Sequence, residues 1–151
     1  LPCHKIILSA RSPVFMAMFS HHNTVEAQRG VIKIEDIELG TLNQLIEFIY
    51  TDQTCGILDN AYNLFCAADK YDIQPLKVEC EETLMNSLND DNASDLLLLA
   101  YMHDAKKLQE AASVYIACHW DEVTNTREWM SVTEAHPKVM QTILEVMVAF
   151  K

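Results

Sequence analysis

The sequence predicts an α+β domain that is mostly helical, and three observations carry that expectation. Apolar residues recur at helical spacing over most of the chain. One short segment, Val31-Ile32-Lys33-Ile34, alternates as a strand would. One helix hairpin is written twice: DNAYNLFCAADKYDIQPL, from Asp59, is followed 32 residues later by DNASDLLLLAYMHDAKKL, from Asp91. The matched pairs Asp59/Asp91, Asn60/Asn92, Ala61/Ala93, Leu64/Leu96, Ala68/Ala100, Asp72/Asp104 and Leu76/Leu108 fall on caps and core-facing positions, where a repeated packing unit would show itself. Two units do not make a solenoid, and composition alone is the competing account of the match.

In chain order, residues 4–10 form a short helix with Ile6, Ile7 and Leu8 on its apolar side. Ser12-Pro13 then supplies a cap and a first-turn proline for a helix bearing Val14, Phe15, Met18 and Phe19. The polar stretch 20–30 reads as a loop or frayed helix end. Ile32 and Ile34 face the core from a strand. Residues 39–50 return to helical spacing through Leu42, Leu45, Ile46 and Ile49, and 53–57 offers a second extended piece. In the first hairpin, Ala61, Leu64, Phe65 and Ala68 stand at i, i+3, i+4 and i+7, with Asp59 or Asn60 as N-cap. Pro75 opens its second helix, along which Leu76, Cys80, Leu84 and Leu88 repeat. After the second hairpin, residues 121–136 are polar, with Trp129 and Met130 as isolated anchors. A last helix, 139–150, is apolar over roughly 200° of its circumference, against the ~100° that packing requires. Such a helix is either deeply buried or shared with a partner.

Composition narrows the function classes. The 151 residues suffice for one domain, or one and part of a second, and 50% apolar with 22% charged is globular. A net charge of −11, with 11 basic residues and no basic run, argues against a nucleic-acid binder. No apolar run approaches the ~20 residues of a membrane span. Five irregularly spaced cysteines fit neither a disulfide framework nor a zinc site and suit reduced, intracellular thiols. The chain starts at Leu1-Pro2 without a signal peptide and reads as part of a longer one.

Chemistry is scarce. The three isolated glycines leave no phosphate-cradling loop, and there is no GxSxG elbow. Cys3-His4 and Cys118-His119 are sequence neighbours whose side chains diverge on a helix, so neither is a nucleophile–base pair. His21-His22 lacks a third metal ligand and reads as a solvated loop. The acidic residues Glu79, Glu81, Glu82, Asp90, Asp91 and Asp95 are expected near helix ends or on exposed faces, and Asp at a helix start is explained by capping and the macrodipole. No cofactor, metal or catalytic residue is expected, and protein contact remains.

Three blocks carry a resemblance: HKIILSARSPVFMAMF from His4, IKIEDIELGTLNQLIEFIYT from Ile32 and AADKYDIQPLKVECEETL from Ala67. They are similar to the BTB/POZ domain of the speckle-type POZ (MATH–BTB) family, and the resemblance covers nearly the whole chain, more loosely after Tyr115. It implies a BTB/POZ domain over residues 1–88, a small sheet included, and a helical 3-box or BACK-like extension over 89–151. It further implies a homodimeric adaptor that recruits a cullin-3 ubiquitin ligase. Substrates would be chosen by a domain upstream, as would much of the family's dimer surface.

Residue by residue, the resemblance places Phe19, Thr24, Glu26 and Tyr50 at the cullin groove, extended by Leu96 and Leu97 of the second hairpin. Thr24-Val25-Glu26 stands where cullin-binding members carry a hydrophobe, any residue, then Glu. Here the glutamate is kept and the hydrophobe is a threonine, a loss of ~1 kcal/mol of apolar contact. An ordinary polar loop is the competing account of that trio, and core packing is that of Tyr50. Ile6 and Ile7 match the dimer seam, with plain core the alternative for Ile7. Leu144, Met147 and Val148 on the last helix mark a second surface for higher oligomers. The alternative function is a BTB used only for self-assembly, for instance in transcriptional regulation.

Overall fold

The structure, a computed structural model, describes residues 1–20 and 29–149, with the backbone alone at 142 and 145–149. It divides into two compact units, Leu1–Cys80 and Glu81–Lys151. Both are helical, and no strand occurs among the described residues.

In the first unit, α1 (Lys5–Arg11) and α2 (Pro13–Ser20) meet at Ser12. The Ser12 hydroxyl accepts from the Phe15 N–H at 3.2 Å, so serine caps α2 and Pro13 takes the first turn, as the sequence predicts. The same hydroxyl donates to the Tyr71 carbonyl at 2.5 Å, and Phe15 stacks on Tyr71 with ring centroids 4.5 Å apart. Residues 30–34 run on without regular structure. Ile32 and Ile34 are half-buried between exposed Val31 and Lys33, so the expected alternation of faces is present. The expected strand is not, because a strand is defined by a hydrogen-bonded neighbour and none lies among the described residues. The second extended piece expected at 53–57 is likewise a turn that leads into a helix. The segment 20–30 falls largely outside the described residues.

Helix α3 (Leu39–Thr51) buries Thr41, Leu45, Phe48 and Ile49 and ends at Asp52, whose φ of 56° is left-handed and whose carboxylate pairs with Arg11. Helix α4 (Ile57–Lys70) starts earlier than Asp59. Gly56 opens it in the left-handed region, and Asn60, at φ −139°, breaks the helical path before the straight part begins at Ala61. Asn60 accepts from Asn63 Nδ2 at 2.9 Å through its side-chain oxygen. Its side-chain amide donates to Thr41 Oγ1 at 2.9 Å and Gln44 Oε1 at 2.7 Å, tying α4 to α3. Helix α5 (Gln74–Asn86) folds back on α4: Lys77 Nζ lies 2.6 Å from Asp69 and 5.4 Å from the Phe65 ring centroid.

The internal repeat is real at atomic detail. Asp72 and Asp104 are both left-handed, at φ 52° and 51°. After each, the next amide reaches back five residues, Ile73 to the Ala68 carbonyl at 2.8 Å and Ala105 to Ala100 at 2.9 Å. This is the Schellman termination. Ala68, Ala100, Leu76 and Leu108 are wholly buried at matched places.

The second unit packs α6 (Ala93–Met102) and α7 (Lys106–Cys118) against α9 (Arg127–Ala135) and α10 (Pro137–Ala149), with the short α8 (Trp120–Thr124) between. Its core holds Leu97, Ile116, Val123, Trp129, Val132, Val139 and Ile143. The polar stretch 121–136 is thus helical, capped where the Thr126 hydroxyl accepts from the Trp129 N–H at 3.2 Å. Trp129 anchors it as expected, whereas Met130 is 58% exposed. Glu81 also differs from expectation. Only 9% exposed, its Oε1 accepts from the Leu108 N–H at 3.1 Å, capping α7, which has no cap of its own.

Candidate protein-binding surfaces

Helix α1 divides its three aliphatics cleanly. Leu8 is buried, Ile7 half-buried, and Ile6 84% exposed. A helix of seven residues has about two turns, so one stripe packs on the unit and the opposite side is left to water. Lys5, beside Ile6, extends its ammonium to 5.3 Å from the Phe19 ring centroid, and Phe19 is half-buried.

Tyr50, in the last turn of α3, is 40% exposed. Its hydroxyl oxygen accepts from the His4 backbone N–H at 2.7 Å and lies 2.9 Å from His4 Nδ1, with ring centroids 6.0 Å apart. His4 is the residue before α1. Ile6, Tyr50 and half-buried Phe19 therefore all belong to the first unit, and Tyr50 is linked to α1 by side chain and backbone together. The sequence separation of 46 between His4 and Tyr50 hid this pairing from sequence reasoning.

The other expected positions fare differently. Thr24 and Glu26 lie outside the described residues, as does the His21-His22 pair. Leu96 and Leu97 are 4% and 1% exposed and belong to the interior of the second unit, out of a docking partner's reach. Four consecutive leucines give no periodicity from which to read a face. On α10, Leu144 is 51% exposed, while the side chains of Met147 and Val148 lie outside the described residues.

Two hollows mark the first unit. One, of about 350 Å³, is lined by Leu8, Phe15, Phe19, Ile32, Ile34 and Leu42 among others. The other, of about 320 Å³, is polar, with Asp36, Glu38, Thr41, Asn63, Cys66 and Lys70. Asp36 is held below the usual carboxylate range by its bond to Lys70. Burial pushes the Cys66 thiol up, and Cys80 up to about 12. Cys55 is raised by its hydrogen bond with Glu47. These thiols stay protonated at neutral pH and are poor nucleophiles. Among the described residues no three His, Cys, Asp or Glu side chains come together to hold a metal, and no helix is long and apolar enough to cross a membrane.

An exposed aliphatic on α1 and an exposed aromatic bonded to His4, in a unit where Cys55, Cys66 and Cys80 are quiet, suit protein contact. The BTB/POZ domain family matches residues 1–88. The chain belongs to the BTB/POZ family. This BTB/POZ chain is 37% identical over 145 residues to protein maternal effect lethal 26 of Caenorhabditis elegans, an alignment covering 93% of the chain and 36% of that protein. It is 39% identical to the mouse TD and POZ domain-containing protein 1 over 141 residues, covering 91% of the chain and 38% of that protein. The mouse TD and POZ domain-containing protein 5 matches at 39% over 140 residues, 91% of the chain and 41% of that protein. The chain thus spans well under half the length of the curated relatives it matches. A BTB/POZ domain is a protein-interaction module, with self-association and protein partners as its business.

Proposed function

We propose that this BTB/POZ chain is the self-associating part of an intracellular adaptor that recruits a cullin-3 ubiquitin ligase, with substrate choice made elsewhere in a longer, MATH–BTB-like protein of the speckle-type kind. The observation that carries the reading is the pair of exposed residues on the first unit. Ile6 is 84% exposed and Tyr50 40% exposed, and what gives the pair weight is that both lie within the BTB/POZ match, an interaction module, at positions the resemblance assigns to partner contact. Ile6 and Ile7 serve a homodimer, and Tyr50, Phe19, Thr24 and Glu26 serve cullin-3. Leu96 and Leu97 drop out of that surface because they are buried. Leu144, Met147 and Val148 serve a second, weaker contact between dimers. Residues 89–151 act as the 3-box or BACK-like extension, and Val31–Ile34 as a strand of the small sheet.

Thr24 favours a second reading, since cullin-binding members carry a hydrophobe there: a self-assembly module, for instance in transcriptional regulation. Calorimetric titration against the N-terminal region of cullin-3 decides between them. Submicromolar binding that E26A and Y50A both weaken is the expected result. No binding, from protein shown to be folded and self-associated, overturns the adaptor and leaves the assembly module.

A further inference from the structure

Helix α1 is seven residues long and has no side-chain cap. Helices this short do not hold in water by themselves, so α1 depends on contacts from outside it. Two of these meet at His4. The backbone N–H of His4 donates to the Tyr50 hydroxyl oxygen, and the phenolic proton is then free to go to Nδ1, which satisfies all three groups. The Tyr50 hydroxyl thus sets where α1 begins and how firmly exposed Ile6 is presented. Both bonds are at the surface, where water competes for them. With its proton donated and one lone pair used, the hydroxyl has little left to offer a partner. What Tyr50 still presents is its ring.

We infer that Tyr50 couples the two surfaces of the chain: a partner that packs on its ring shields the two bonds to His4, steadies α1 and tightens self-association through Ile6. The inference rests on the adaptor reading above, which assigns Tyr50 to cullin-3 and Ile6 to the dimer. Coupling of this kind is reciprocal, so the dimer binds the partner better than the monomer does.

Sedimentation equilibrium of the chain, with and without the saturating N-terminal region of cullin-3, tests it. The partner is expected to tighten self-association of the wild type by about three- to ten-fold, the range one net hydrogen bond commands. Y50F keeps the ring and loses both bonds. It should self-associate more weakly by a similar factor and lose the response to partner, while H4A, which keeps the backbone donor, falls between. Y101F, an exposed tyrosine of the second unit, should behave as wild type. Hydrogen exchange over residues 8–12, whose amides carry the helical bonds of α1, gives a readout free of oligomerisation: Y50F is expected to accelerate it even in an I6K background. Y50F with wild-type exchange and self-association overturns the coupling. I6K that still dimerises refutes the α1 seam instead, and absence of cullin-3 binding refutes the choice of partner. In both of those cases the exchange of residues 8–12 still decides whether Tyr50 holds α1.

Discussion

Glu81 gives the sharpest test of how the second unit is held. Helix α7 opens with Lys106 and Lys107, the wrong sign for a helix N-terminus, after Ala105, which cannot cap. Its first intrahelical bond runs from the Gln109 N–H to the Ala105 carbonyl at 2.9 Å, so the Leu108 N–H is an orphan by construction. Leu108 is wholly buried, and Glu81 Oε1 is the acceptor that reaches it. E81M preserves length and removes the acceptor. A bond to a charged acceptor and the stranding of a buried donor are each worth about 1–3 kcal/mol, and since they describe one loss the expected cost is ~2 kcal/mol. For a unit of this size that lowers Tm by about 8–16 °C. E81Q keeps a carbonyl acceptor and gives up only the charge at the helix end, about 0.5–1 kcal/mol, or roughly 2–8 °C.

Both tryptophans, Trp120 and Trp129, lie in this unit and stack edge-on at 5.4 Å, so tryptophan fluorescence follows its melting selectively. The expected order is wild type, then E81Q, then E81M. E81M melting within about 2 °C of wild type would show that Leu108 finds another acceptor. E81Q as damaged as E81M would mean that charge, not the hydrogen bond, is what α7 needs.

I6K is expected to convert a self-associating chain to monomer, because an ammonium would be buried twice at a symmetric seam; unchanged mass in sedimentation removes Ile6 from the interface. At the left-handed C′ position of α6, D104G should match or exceed wild-type stability while D104A falls below D104G by about 1 kcal/mol, measured by the same fluorescence melts. Thiol labelling at pH 8 should modify exposed Cys118 quickly and leave Cys80, wholly buried with its thiol pushed up to about 12, unmodified until denaturant is added. Equal rates for the two would contradict the packing of α5. Burial, then the nearby Glu128 carboxylate, raises the Asp95 carboxyl. The folded state therefore holds this proton longer than the unfolded chain, and the group's contribution is full below the ordinary carboxylate pKa and lost as pH rises through the raised value. D95N should accordingly gain on wild type between pH 4 and 7, and a constant difference across that range would show that Asp95 is not perturbed.

What could be read from the chain beforehand follows the range of the interactions involved. The Ser12-Pro13 start, the two hairpins and, on α3, the buried Leu45 and Ile49 were legible because caps and periodicity act within one or two turns, whereas Leu42 and Ile46 are only half-buried and Phe48 completes the stripe. Even the polar stretch 121–136 carries a signal: Thr126 caps, Trp129 and Val132 stand three apart on one face of α9, and Val123 is the apolar residue that α8 sends into the same core. Glu81 was misplaced because Glu79 and Glu82 beside it look the same in sequence, and only the arrival of α7 distinguishes a buried cap from a solvated charge. The Leu96–Leu99 run reads in sequence as a fully buried helix, as Leu96 and Leu97 are, and only the resemblance sets those two at a groove. The surfaces proposed for partners stand at the same limit. Ile6 and Leu8 are equally apolar in sequence, and only packing shows that one is spent on the core and the other left over. An interface in such a chain is therefore read as a remainder, the apolar area that folding does not use. The His4–Tyr50 contact matters because it fixes the helix on which that remainder is displayed.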